Sequence, residues 1–377
     1  MRSLRVLHVM SCRGWSSDAY WAARAVSELE GAGHEAILCV RAGAEGRVGR
    51  PAWELGVKRI DTLRLRSGVT PGADLLDLAR LRRWLPEVDI VHVHRGKEHW
   101  LAALANRLSR SPRPLVRTRH IVQVARAHPG NRWLYQRGTS LVIAVTRAIQ
   151  QQYVASGLLP PDRVVTLAGG VDTMRFSPGA DGRPLRAALG ANEGEPLLGM
   201  VSGFRVMKGH AVVVEALARL ARDRIHPRAL LVGRGRHEAA VREAIQRAGL
   251  EAQFRFTGFV PDLPRAMAAM DIGLYVPMES DGMGRVIFEF LAMGIPLIAS
   301  RVGIVPEVLT DSREALLVPA GDPAALAAAI RRLLQDAQLR RALGEAGRHL
   351  VEAHYSGARL AERLTSLYAG LLQARSL

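Results

Sequence analysis

The sequence predicts an α/β protein built from two doubly wound parallel sheets, and three observations carry that prediction. Short apolar runs alternate with helix-length segments along the chain, the pattern of strands joined by helical crossovers. The runs are almost continuously apolar, as strands covered by helices on both faces must be. The alternation breaks in a stretch rich in Gly, Pro and charge at 176–196, and then begins again.

In the first half, 5–10 reads as a buried strand, 11–18 as a loop and 19–31 as a helix. A strand at 36–40 follows Gly33-His34, and 89–94, 114–118 and 141–145 are further buried runs, each followed by a polar or helical segment. In the second half, strands are expected at 197–202, 228–232, 254–256, 272–276 and 297–300, with helices at 211–222 and 238–248. The tail, 350–372, ends in an amphipathic helix with Leu360, Leu364, Leu367 and Leu371 on one stripe. The expected division is 1–178, completed by a returning helix at about 356–377, and 179–355. In sheets of this kind ligands sit at the carboxyl ends of the strands, where the strand order reverses.

Composition narrows the possibilities. A chain of 377 residues with 48% apolar content fits two or three ordinary globular domains. No apolar run approaches the ~18 residues of a spanning helix, and 1–10 reads as a first strand rather than a signal peptide. With only Cys12 and Cys39, neither a disulfide framework nor a thiolate metal site is available. A cytoplasmic protein is expected. The net charge is +17, and between Glu98 and Asp162 there is no acid but nine arginines. Such a field attracts nucleic acid, anionic lipid surfaces or phosphorylated glycans. An arginine-biased genome is the competing explanation, since only Lys58, Lys97 and Lys208 among the 52 basic residues are lysine.

The most informative segment is 271–307. It reads as buried strand, acidic glycine turn, short helix, glycine stop and second buried strand. A glycine turn that opens a helix points several backbone N–H groups at whatever lies above it, a ready anion site. Arg285 in the first helical turn opposes the helix dipole, and Arg before Glu289 at i,i+4 is the poorer order for an ion pair. A ligand-binding role for Arg285 therefore competes with a solvated Arg285–Glu289 pair. Lys208, in Val201-Ser-Gly-Phe-Arg-Val-Met-Lys-Gly-His210, is a compact ammonium kept by a chain that otherwise uses Arg. It suits phosphate, with Arg205 as its companion.

These residues closely resemble the signature of glycosyltransferase family 4, retaining enzymes of the GT-B architecture in which two Rossmann-like domains face across a cleft. The family shows two acids separated by seven residues; here they are Asp281 and Glu289, followed by Phe-Leu-Ala-Met-Gly-Ile-Pro296. The first acid is Asp where the family has Glu, with Glu279 nearby, and Met283 stands in place of Phe. The resemblance extends to Arg205-x-x-Lys208-Gly, to Gly233-Arg-Gly and to the 256–261 loop. It also covers the linker 168–178, and Gly14 in the loop after the first strand.

The resemblance implies transfer of a sugar from a UDP- or GDP-linked donor to a cell-envelope glycan or lipid-linked acceptor, without a metal or other cofactor. It implies that Arg205 and Lys208 hold the donor diphosphate together with the N–H groups of Gly284 and Arg285. Glu289 would hold the ribose, and Val260 would meet the base. Asp281 and His120 would touch the transferred sugar, within a substrate site that includes Gly14, Gly233, Gly282 and Met283. Glu307 matches a family glutamate of structural or donor-site role. His92 and His94 share one sheet face, but no further ligand at telling spacing suggests a metal. Trp15 and Trp21 either stack on a sugar ring or pack. The basic first domain implies attachment to the inner face of an anionic membrane. A nucleic-acid-binding protein with a vestigial donor site is the rival, disfavoured by only 5% aromatic residues. A nucleotide-sugar epimerase is the third reading.

Overall fold

The computed structural model describes residues 2–123, 126–191, 194–280 and 282–375. The chain forms two compact units: Met1–Gly170 with Gly357–Leu377, and Val171–Ser356. The chain changes unit at Gly170–Val171, ahead of the expected 178. The reason is local: the Val171 N–H donates to the Tyr355 carbonyl and Val171 bridges Ser356, so the start of the linker is stitched to the second unit.

The first unit is a seven-stranded parallel sheet of β1 (Arg5–Met10), β2 (Glu35–Arg41), β3 (Ile60–Leu63), β4 (Ile90–Val93), β5 (Leu115–Arg119), β6 (Leu141–Ala144) and β7 (Val164–Thr166). Its order is β3-β2-β1-β4-β5-β6-β7, so the winding reverses between β1 and β4. The register sets His8 beside His92. The edge strands β3 and β7 escaped the sequence reading because they are short and half-exposed, Ile60-Asp-Thr-Leu63 and Val164-Val-Thr166, with no sustained apolar run. The returning helix Gly357–Gln373 packs on the helix Ser17–Gly31. It buries Leu360, Leu364 and Tyr368, and Thr365 bonds His34.

The second unit is a six-stranded parallel sheet of β8 (Leu197–Val201), β9 (Arg228–Val232), β10 (Phe254–Gly258), β11 (Ile272–Tyr275), β12 (Leu297–Ser300) and β13 (Ala315–Val318). Its order is β10-β9-β8-β11-β12-β13, with the reversal between β8 and β11. The helix His210–Arg222 lays Val213, Leu217 and Leu220 into the core at helical spacing, each burial contributing roughly 1.5–3 kcal/mol. The helix Arg285–Ala292 is buried along most of its surface, through Ile287, Phe288, Phe290 and Leu291. Its Phe290 ring lies so close to Gly273 of β11 that a Cβ there would sit 2.7 Å from the ring. That contact packs the helix against β11, and at the helix start a Cβ on Gly284 would stand 3.0 Å from the hydroxyl of Tyr275, the last residue of β11.

Candidate functional site

In the second unit the expected donor residues collect at the reversal point. The loop after β8 carries exposed Arg205, then a 3-10 turn, Val206–Lys208, which leaves Lys208 buried rather than on the surface. This loop is tied to the one after β11. The Met278 N–H donates to the Met207 carbonyl at 2.8 Å. Gly209 adopts φ 78, and a Cβ there would stand 1.9 Å from the Val276 carbonyl oxygen. Only glycine permits that approach. His210 stacks on Phe204, with ring centroids 4.4 Å apart, and bonds Ser202. Burial, then Lys208, lowers its pKa to about 4, so it is neutral beside the ammonium.

The turn after β11 has Gly282 and Gly284 in the left-handed region, at φ 71 and 59. Gly284 is the N-cap of the helix Arg285–Ala292, so the first N–H groups of that helix open at the end of the loop that Met278 ties to the Lys208 loop. Met283 buries its side chain, which leaves its backbone as what it can offer a ligand. Asp281 lies outside the described residues. Arg285 Nε reaches Glu289 Oε1 at 3.0 Å, so the ion pair does form, but it is not a solvated pair: the Glu289 side chain is 2% exposed. Among the described residues, the buried Glu289 Oε2 has no hydrogen-bond partner, and neither has the buried hydroxyl of Ser280. Burial pushes the Glu289 carboxyl up, with Arg285 and Arg175 pulling it down. A buried carboxylate oxygen without a donor costs about 1–3 kcal/mol or more, which a ligand hydroxyl would relieve. Gly233, after β9, sits at φ 144 with room for nothing larger, since a Cβ would be 2.0 Å from the Ser202 carbonyl oxygen. Val260 follows β10, itself half-buried in an exposed loop beside Phe259. Glu307 lies in the short helix Val305–Val308.

In the first unit the corresponding end holds Gly14, His120 and several residues the sequence reading did not single out. Gly14 has nothing within 4 Å of a would-be Cβ, so the loop leaves open space there. Asp18, in the first turn of the helix Ser17–Gly31, accepts from Arg95 Nε at 2.6 Å. Burial works to raise its pKa, but Arg95, His120 and Ser16 outweigh it and hold the carboxyl below the usual range. The Cys12 thiol is pushed up to about 12 by burial and Asp18, which makes it inert. Trp21 is fully buried against His92, His94 and His120, so of the two roles considered for it, packing holds; Trp15 is 36% exposed.

The larger surprise is His8. With β1 beside β4, it joins His92 and His94 in a buried stack that His120 extends. Nitrogens of His8, His92 and His94 lie within 4.8 Å of one another. A metal needs lone pairs that converge in the ring planes, yet His92 and His94 stack at 14° with centroids 4.7 Å apart. Both His92 nitrogens are already bonded at 2.6 Å, to Tyr368 and Thr118. In these rotamers the rings form a hydrogen-bonded line rather than a coordination shell.

Residues 182–350 match the family model "Glycosyl transferases group 1", and 20–175 match "Glycosyltransferase Family 4". A 2-deoxystreptamine N-acetyl-D-glucosaminyltransferase of Streptomyces fradiae is 31% identical over 331 residues, covering 78% of this chain and 76% of that one. A GDP-mannose-dependent alpha-(1-6)-phosphatidylinositol monomannoside mannosyltransferase of Mycolicibacterium smegmatis is 29% identical over 79% of this chain and 81% of that one. Among solved structures, Anabaena HepE in complex with UDP-glucose superposes with a TM-score of 0.80 at 21% identity, covering 97% of this chain and 100% of that one.

Proposed function

The chain belongs to the family 4, group 1 glycosyltransferases, and from that premise we propose that it transfers a sugar from a UDP- or GDP-linked donor to a cell-envelope glycan or glycolipid, with retention and without a metal. The observation that carries this reading is that the Arg205–Lys208 loop after β8 is hydrogen-bonded to the loop after β11, where Gly284 opens a helix whose Glu289 Oε2 is buried with no partner among the described residues.

Departure of a nucleoside diphosphate builds negative charge. Arg205, Lys208 and the N–H groups of Gly284 and Arg285 neutralise it, doing what a divalent ion does in other enzymes. Glu289 Oε2 accepts from the ribose hydroxyls, and the backbone near Val260 meets the base. Gly233 lets its loop approach the donor, and Gly14 leaves space near the phosphates and acceptor. Asp281 and His120 touch the transferred sugar. The bond from acceptor oxygen to the anomeric carbon forms on the face from which the phosphate oxygen leaves, and that oxygen takes the acceptor proton. No protein nucleophile is required.

The acceptor is presented at the inner face of an anionic membrane. Supporting this are Leu75 and Leu76, exposed on the helix Pro71–Trp84 with Arg82 and Arg83. Leu104 and Leu108 are exposed with Arg107 and Arg110 on and after the helix Gly96–Arg107, which packs beside it. Among the described residues no helix is long and apolar enough to cross a membrane. The test is thermal shift against nucleotides and nucleotide sugars, followed by turnover of the stabilising donor with and without EDTA and assignment of the product anomer by NMR. An inverted product, or activity abolished by EDTA and restored by a divalent ion, overturns the reading.

A further inference from the structure

The stacked histidines have a direction. His8 Nδ1 lies 3.1 Å from His94 Nε2, and His94 Nδ1 lies 3.3 Å from His120 Nε2. The line therefore runs from the middle of β1, past the end of β4, to the residue after β5. Burial lowers the pKa of His8 and of His120 to about 3, and that of His94 well below its ordinary value, so all three rings are neutral. A neutral imidazole has one N–H and one lone pair. Each ring that donates through one nitrogen must accept through the other, so a single choice at one end sets every tautomer along the line.

His8 Nε2, at the buried end, has no partner among the described residues. If the line ran inward, that atom would be an orphaned N–H, the rarer and costlier kind of unpaired buried group. Run outward, it is only an unused lone pair. The outward direction has His8 Nδ1–H donating to His94 Nε2, and His94 Nδ1–H donating to His120 Nε2. His120 then carries its proton on Nδ1, the nitrogen not engaged by the line. His92, held by Thr118 and Tyr368, is not a link but a wall: its ring stacks on His94 and packs tilted against His8.

We infer that His8 and His94 are positioning residues that fix His120 as an Nδ1–H donor, so that it gives a hydrogen bond to a hydroxyl oxygen of the transferred sugar. The sugar contact rests on the proposed function; the tautomer does not.

The tautomer is read by long-range 15N–1H NMR on histidine-labelled protein at pH 7.5, with the His120 signals identified by their loss in His120→Gln. The wild type is expected to show Nδ1-protonated His120. His8→Phe, which keeps a stacked ring but removes the donor, should give a mixture of tautomers and lower kcat roughly tenfold, the scale of one hydrogen bond, with donor KM changed less. His8→Asn, whose amide N–H stands where Nδ1–H was, should restore both. An Nε2-protonated His120 in the wild type, or an unchanged tautomer in a folded His8→Phe, overturns the inference. The wild-type spectrum alone decides the direction if the variants fail to fold. The expected tautomer together with full activity of His120→Gln would leave the line standing and sink the sugar contact.

Discussion

Lowering the pH from 7.5 to 5.5 should unfold the first unit while the second persists. His8, His92, His94, His99 and His120 are all held below the ordinary histidine pKa, mainly by burial. A group whose folded pKa is depressed takes up its proton in the unfolded chain first. Stability is therefore complete above about 6.5, the unfolded value, and drains away as pH falls toward the folded values, which are about 3 for His8 and His120. Between pH 7.5 and 5.5 each such histidine costs about 1.4 kcal/mol, and five cost about 7 kcal/mol. A domain has only about 5–15 kcal/mol to lose. The second unit has one comparable group, His210, lowered to about 4, and loses about 1.4 kcal/mol over the same range. All six tryptophans, Trp15, Trp21, Trp53, Trp84, Trp100 and Trp133, lie in the first unit, so tryptophan emission reports on it alone. Urea titrations followed by tryptophan emission should show the midpoint collapsing at pH 5.5, with much of the far-UV circular dichroism retained. An emission midpoint equal at the two pH values would mean that these histidines ionise freely in the folded protein, and the reasoning from burial fails.

Other expectations are more local. Lys208→Met, which keeps the buried stem and removes the charge, should lower kcat by about 10²–10³ with a melting temperature near that of the wild type; near-normal turnover removes Lys208 from the leaving-group site. Glu289→Gln should weaken binding of the free nucleoside diphosphate by calorimetry, whereas Asp281→Asn should leave it unchanged and impair donor turnover; equal effects on nucleotide binding show the roles to be wrongly divided. Gly284→Ala forces a side chain into φ 59 and to 2.8 Å from Ile287 Cδ1, so it should cost at least 1–2 kcal/mol and be visible as a lower urea midpoint. Sedimentation with anionic vesicles should be strong at low salt and lost near 1 M, where the Debye length is ~3 Å; indifference to anionic lipid at low salt assigns the arginines to genomic bias.

Much of this was legible in the sequence because it is local. The strands β1, β2, β4, β5, β6 and β8 to β12 appear as short, mainly apolar runs. The turn at 279–284, the helix after it and Arg205-x-x-Lys208-Gly209 each lie within a few residues of chain. What sequence reading missed was lateral. It saw that His92 and His94 share a sheet face, but not that β1 lies beside β4, so His8 remained an isolated polar residue in an apolar strand. The available signal was that strands 5–10, 89–94 and 114–118 each carry a histidine within or just after the run. The burial of Lys208 was not legible either, because it comes from a 3-10 turn that composition does not show.

The difference between the two halves has a physical origin. The phosphate end of the second unit is built from backbone: Gly209 against Val276, Gly233 against Ser202 and Gly284 at a helix start all place main-chain groups close together. Backbone cradles demand glycine at fixed spacing, and fixed spacing can be read along a chain. The corresponding end of the first unit is built from side chains delivered by three adjacent strands and two helices: His8, His94 and His120 from the sheet, Trp21 and Tyr368 over it. Such a cluster has no sequence period, because its spacing is the separation of strands rather than of residues. A change in donor chemistry would therefore have to work within rigid glycine turns. A change in acceptor could proceed through single side chains around His120, with the buried line behind it left intact.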